Sequence, residues 1–161
     1  ALLARKERFG TALGRKLRRI LLRDHMDAAA ELLLYEASRA VLVREVIRPA
    51  LKAGKIIILD RFYDSTWVYQ GWAGGMDLKL VEQLNRAATG GLKPDRTLVL
   101  DVPAKKGLDR VKRPNRFEAK VRRGYLALAR KERRRMRVIP VDRPVDEVQQ
   151  KIRKAVASVL R

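Results

Sequence analysis

Asp60 and Arg61 stand side by side directly after four apolar residues, Ile56 to Leu59, and are followed closely by Asp64, Ser65, Thr66, Tyr69 and Gln70. A carboxylate, two hydroxyls, a phenol and an amide in one short segment can hydrogen-bond the edge of a small planar ligand. An arginine beside them can hold an anion through two parallel N–H bonds. Alone, the Asp60–Arg61 pair would equally well solvate a strand end. The polar set after it tips the reading toward a binding site.

The elements that must position these groups are legible from periodicity. Three of the four residues from Ile56 to Leu59 are β-branched or strand-favouring, as in a parallel-sheet strand buried on both faces. Ligands in open α/β sheets collect outside the carboxyl ends of such strands, where Asp60 and Arg61 fall. Residues 97–102, TLVLDV, form a second buried strand ending at the acidic Asp101. The two are expected as inner strands of one parallel sheet that do not pair directly with each other. Val138 to Val141 is a short strand, near an edge because Pro140 cannot donate to a ladder. Residues 1–5, ALLAR, suit either a short strand or the tail of a helix.

Thr11 or Gly10 can cap a helix whose Leu13, Leu17, Ile20 and Leu21 make one buried stripe. From about Ala28 to Ala53 the chain reads as a long helix stopped by Gly54, with Pro49 opening its last turn. Its core face is drawn through Leu33, Ala37, Ala40 and Ile47. Leu34, Val41 and Leu42 lie off that face, and a helix apolar on more than one side needs a second burial partner. Tyr35 and Arg39 are four apart and share a face. Gly71, Gly74 and Gly75 read as a turn, and Asp77 caps a helix with Leu80, Val81, Leu84 and Ala88 inward, ended by Gly90 and Gly91. The last helix places Val145, Val148, Ile152, Val156 and Val159 on one face, with Asp146 and Glu147 in its first turn. His25, the only histidine, has no ligand-type cluster near it and reads as a surface loop residue.

The chain of 161 residues suits one domain with a real core, and it has no cysteine, hence neither disulfides nor thiolate metal sites. No apolar run approaches the ~20 residues of a membrane span, so no membrane role and a cytoplasmic setting are expected. The 38 Lys and Arg against 18 Asp and Glu leave a net charge of +20, which suits polyanionic ligands, nucleotides or nucleic acid, or a charge-rich solvated surface. Residues 105–137 carry 15 basic against 3 acidic residues, +12 of that total. Much of this run fits a helix with Val121, Tyr125 and Leu128 on its buried stripe.

Four blocks, in order, resemble the bacterial thymidylate kinase family. LDRFYDSTWVYQG is similar to the DR(Y/F)-x-x-S-x-x-(A/V)-Y-Q-G signature, and KERFGTALGRKLRRILL resembles the REPGGT segment. ELLLYEASRA resembles the ELLLF-x-A-x-R helix, and LNRAATGGLKPDRTLVLDVP matches a further stretch nearly position for position. The resemblance implies an α/β fold of the P-loop kinase type, three layers with a parallel sheet flanked by helices, as one nucleoside monophosphate kinase domain over residues 1–161. It implies transfer of the ATP γ-phosphoryl to dTMP, giving dTDP with Mg2+. By resemblance Arg61 binds the dTMP phosphate, and Asp60 positions the metal or the acceptor phosphate. Tyr35, Arg39, Thr66 and Gln70 read the base, Ser65 belongs to the same site, and Tyr69 packs against the deoxyribose. Lys6 takes the place of the arginine of the REPGG loop, keeping the charge without the planar fork; Glu7 is a further catalytic candidate. Lys112, Arg113 and Arg116 lie in the basic lid over ATP, at about residues 105–119, where cations offset charge on the moving phosphoryl group. The second burial partner of the 28–53 helix is, by resemblance, the same helix of a twofold mate.

The 161 residues hold no G-x-x-x-x-G-K-[ST] loop, the phosphate cradle such a kinase needs. The resemblance places that loop upstream of the REPGGT-like segment, and the sequence is therefore expected to be incomplete relative to the working protein. A basic nucleic-acid-binding or non-catalytic derivative of the kinase fold is the alternative. It accounts for the charge but gives no reason for a base-reading set. A kinase for another deoxynucleotide differs only in its base contacts.

Overall fold

In the computed structural model the backbone of residues 2–6 and the whole of residues 11–102 and 116–160 are described. Strands alternate with helices along the chain, and the fold resolves into two compact units, Ala1–Leu92 and Lys93–Arg161.

In the first unit, strand β1 (Leu2–Lys6) pairs in parallel with β2 (Ile56–Asp60), with Leu2 opposite Ile56 and Lys6 opposite Asp60. Between them run α1 (Ala12–Arg23), α2 (Ala28–Leu42) and α3 (Arg48–Lys52). Thr11 caps α1, its Oγ1 accepting from the Gly14 amide at 2.9 Å, and Asp27 caps α2 through the Ala30 amide at 2.7 Å. The long helix ending before Gly54 is present, but it is not uniform: Val43–Ile47 widens into a π-helical turn between α2 and α3. The opening falls just ahead of Pro49, whose ring clashes with the carbonyl four residues back. Gly54 ends α3 at φ +67, a left-handed conformation suited to glycine.

The buried face of this helix differs from expectation. Leu33 is 55% exposed and Ala37 is exposed, whereas Leu32, Glu36, Arg39, Leu42, Val43 and Ile47 are buried. Ile47 belongs to the core as expected; Leu33, Ala37 and Ala40 do not define the inner face. The helix is apolar nearly all round, so periodicity alone could not choose between its faces. The choice was made by Leu42, Val43, Ile47 and Phe62, which form a cluster packed by Ile57, Leu59 and Leu92.

That cluster takes one face of β2. The opposite face, carrying Ile56 and Ile58, is 46% and 52% exposed, so β2 is not buried on both sides. Side chains two apart on a strand share a face, so Ile56 and Ile58 are open together. In α1, Leu13 and Ile20 are likewise exposed while Leu17 and Leu21 are half-buried.

After β2 come α4 (Tyr63–Thr66), a second π-helical turn over Trp67–Ala73, and α5 (Leu78–Thr89). Gly71 lies inside that turn rather than in a loop; a Cβ there would meet Leu78 Cδ2 at 2.6 Å. Asp77 caps α5 by accepting from the Lys79 amide at 2.8 Å, and Gly90 and Gly91 end it at positive φ. Its inner residues are Val81, Asn85 and Thr89, with Leu84 and Ala88 half-buried and Leu80 44% exposed.

In the second unit, β3 (Thr97–Asp101) pairs in parallel with β4 (Met136–Pro140). Helix α6 (Arg116–Lys131) buries Val121, Gly124, Leu128 and Ala129, with Tyr125 half-buried beside them. Helix α7 (Val145–Ala157) half-buries Val148, Ile152 and Val156, while Val145 is 74% exposed. Arg122 of α6 grips Asp101 with two bonds of 2.6 and 2.8 Å. That contact raises the Arg122 pKa, first through the hydrogen bond, against a smaller desolvation effect. Among the described residues the strands form two two-stranded parallel sheets, β1–β2 and β3–β4, so neither β2 nor β3 is the inner strand of a single sheet that the sequence predicts.

Candidate functional site

The end of β2 carries an unusual backbone. Arg61 adopts φ 68, and it is the one non-glycine residue with positive φ among those described. A side-chain-bearing residue held there stores about 1–3 kcal/mol, and such strain concentrates at functional sites. The turn aims the Arg61 guanidinium over the Tyr69 ring, 5.1 Å from its centroid. Asp60 and Arg61 are both exposed, so the pair faces solvent at the carboxyl end of the strand. Lys6 stands opposite Asp60 in the β1–β2 register, which brings the two backbone positions together.

The polar segment that follows is coiled into helix, turning its groups in different directions. Asp64 and Thr66 are 4% and 3% exposed, and Ser65, Tyr69 and Gln70 are half-buried. Tyr69 and Gln70 belong to the π-helical turn, whose exit is tied by Gly74 donating to the Tyr69 carbonyl at 2.9 Å. Such turns recur where a helix must present side chains to a site. Gln70 Nε2 reaches Glu31 Oε1 of α2 at 3.3 Å, which orients the amide.

Arg39 is the electrostatic centre of this half. It is 1% exposed, and a buried cation requires a partner. Its Nη1 donates to Glu36 Oε1 at 2.5 Å and to Asn85 Oδ1 at 2.7 Å; its Nη2 donates to Thr66 Oγ1 at 2.7 Å. The Phe62 ring lies 5.7 Å from the guanidinium carbon. Tyr35 is half-buried one turn earlier on the same helix.

Of the residues proposed from sequence, Tyr35, Arg39, Asp60, Arg61, Ser65, Thr66, Tyr69 and Gln70 all fall in the first unit, on α2 and on the run from β2 through the second π-turn. Thr66 and Arg39 are in direct contact. Arg116 is the first residue of α6, exposed, in the second unit. Glu7 and, of the lid, residues 105–115 with Lys112 and Arg113 lie outside the described residues, while residues 117–119 continue α6. Sequence reasoning missed Glu31, Glu36 and Asn85. Glu36 had a signal, since it stands three before Arg39 on a helix. Asn85 had a fainter one: an amide in line with Val81 and Thr89 at helical spacing.

Among the described residues no three His, Asp or Glu side chains gather as a metal cage. The exposed Asp60 carboxylate suits magnesium all the same, because that ion keeps much of its water and takes one or two carboxylates together with substrate phosphates.

The thymidylate kinase family model matches residues 1–152. The thymidylate kinase of Desulfovibrio desulfuricans is 43% identical over 97% of this chain and 81% of its own length. That of Symbiobacterium thermophilum is 44% identical over 96% of this chain and 78% of its own. The chain belongs to the thymidylate kinase family. The crystal structure of the Ehrlichia chaffeensis thymidylate kinase superposes with a TM-score of 0.82 at 32% identity, covering 97% of this chain and 80% of that one. The fold is therefore the α/β P-loop kinase fold, a parallel sheet flanked by helices, and the protein is an enzyme of nucleotide biosynthesis, a nucleoside monophosphate kinase. Neither the relatives nor the fold supports the nucleic-acid-binding alternative.

Proposed function

We propose that this thymidylate kinase binds dTMP along the run from Asp60 to Gln70 and transfers the ATP γ-phosphoryl to it, giving dTDP. The observation that carries the reading is Arg61, strained at φ 68 and stacked on Tyr69 at the end of β2. Strand and ring together hold the guanidinium in place before any ligand arrives, and a planar fork matches a phosphate. Asp60 would hold magnesium with the phosphates, and Lys6, whose backbone lies opposite Asp60 in the ladder, is by resemblance a further phosphate contact. Bound magnesium supplies charge neutralisation on the phosphoryl oxygens.

On the base side, Tyr35 supplies the stacking surface, and Arg39, Thr66 and Gln70 supply donors and acceptors. Tyr69 packs against the sugar and Ser65 contributes a hydroxyl nearby. By the same resemblance the lid cations Lys112, Arg113 and Arg116 serve the ATP side, and Glu7 is a further catalytic candidate. The family's place in nucleotide biosynthesis supports a cytoplasmic setting. Among the described residues no helix is long and apolar enough to cross a membrane. A homodimer follows from the family resemblance; of the residues expected to face the mate, Leu42 is buried in the chain's own core and Leu34 and Val41 are half-buried, so the apolar surface of α2 left open is Leu33, 55% exposed.

Calorimetry on the full-length protein tests the site. Arg61→Ala should weaken dTMP by at least about tenfold, since one charge-assisted bond exceeds ~1.4 kcal/mol per decade, and leave thymidine unaffected. Tyr35→Ala should weaken both. An unchanged dTMP affinity in folded Arg61→Ala would sink the phosphate assignment.

A further inference from the structure

We infer that Asn85 is a positioning residue for base selectivity: it clamps the Arg39 guanidinium as a fixed donor, so that the site prefers a pyrimidine bearing a carbonyl at position 4. The inference rests on the reading of Arg39 as a base contact.

Val81, Asn85 and Thr89 follow one another at four-residue spacing on α5 and are 0%, 5% and 2% exposed. This is a core stripe, and an amide in its middle is unfavourable unless its polar atoms are bonded. Its oxygen accepts from Arg39 Nη1 at 2.7 Å, across 46 positions of sequence. The other two acceptors cannot do the same work. Glu36 rides on the same helix as Arg39 and moves with it, and Thr66 sits in the segment proposed to receive the base. Asn85 holds the guanidinium from the buried face of a separate helix. Because the amide is neutral, it orients Arg39 without adding a second negative charge to that of Glu36, and the donor strength toward a ligand carbonyl is kept.

A guanidinium has donors and no acceptor. Thymine offers an O4 acceptor where cytosine offers an N4 amino donor. A clamped Arg39 thus rewards the first and leaves the second facing a donor, whereas a loosened one can turn aside.

Steady-state kinetics with dTMP and dCMP on the full-length enzyme test this, with ATP varied separately. Asn85→Leu, branched at the same carbon but without the acceptor, should raise KM for dTMP by about tenfold and reduce the dTMP/dCMP preference by a similar factor. The KM for ATP should stay within about twofold, and Asn85→Asp, which restores the oxygen but adds the second negative charge, should recover the KM for dTMP only in part, leaving it about threefold above wild type. Should Asn85→Leu fail to fold, Asn85→Ala carries the same expectations. Unchanged dTMP kinetics, or an equal loss in kcat and both KM values, would overturn the inference, the latter marking a merely structural residue. Arg39→Lys separates the two levels. If it collapses the preference while the Asn85 variants do not, only the role of Asn85 fails. If it leaves the preference intact, the reading of Arg39 fails and the inference with it.

Discussion

Replacing Arg61 by glycine and by alanine separates backbone strain from side-chain function at one position. Arg61 holds φ 68, and a non-glycine residue in the left-handed region is disfavoured by about 1–2 kcal/mol. Glycine removes that strain but gives up about 0.5–1 kcal/mol through the greater freedom of its unfolded chain. Both substitutions lose the guanidinium over Tyr69 at 5.1 Å, an exposed cation–π contact of about 0.5–1 kcal/mol. For Arg61→Ala the strain stays and the contact goes, a net loss of about 0.5–1 kcal/mol. For Arg61→Gly the relief and the two losses nearly cancel, leaving stability within about 0.5 kcal/mol of wild type. Glycine should therefore exceed alanine by about 0.5–1 kcal/mol, the reverse of their order in ordinary structure. Urea unfolding followed by circular dichroism reads the difference, provided the slopes agree. Both variants should lose dTMP phosphate recognition equally. An alanine variant as stable as the glycine variant would show that the left-handed backbone of Arg61 carries no strain, and would remove the argument that this strain marks a site.

Glu36 and Arg39 form an ion pair with side chains 7% and 1% exposed, so Glu36→Ala should destabilise the fold by about 3–5 kcal/mol by stranding a buried cation; a urea midpoint near wild type would contradict this. Leu33 is 55% exposed on α2, and Leu33→Glu should convert a dimer to monomer in light scattering at micromolar concentration; a monomeric wild type would refute the assembly. Asp101 raises the pKa of Arg122, a cation, so its contribution is full below the unfolded value and lost only as pH rises past the raised one. That window lies above the ordinary arginine range. Arg122 is 41% exposed, so Arg122→Ala should lower stability by no more than about 1 kcal/mol, equally at about pH 6 and pH 9.

Local signals determined much of this protein. The caps at Thr11 and Asp77, the stop at Gly54 and the left-handed Gly90–Gly91 ending are properties of a few neighbouring residues, and each appears where the sequence puts it. The motif around Asp60–Gln70 carried the family, because its side-chain types and spacing are themselves the chemistry. Three things had to wait for tertiary structure. The inner face of α2 was one: a helix apolar nearly all round has no preferred side until Phe62, Ile57 and Leu59 claim one. The exposure of Ile56 and Ile58 was another, since β-branched composition records what a strand tolerates, not what covers it. The third was the clamp on Arg39. Asn85 lies 46 residues away, and no periodicity links an amide on one helix to a guanidinium on another. That pairing exists only because burying a charge requires partners, and the fold supplies them from wherever the chain passes close enough to make the bond.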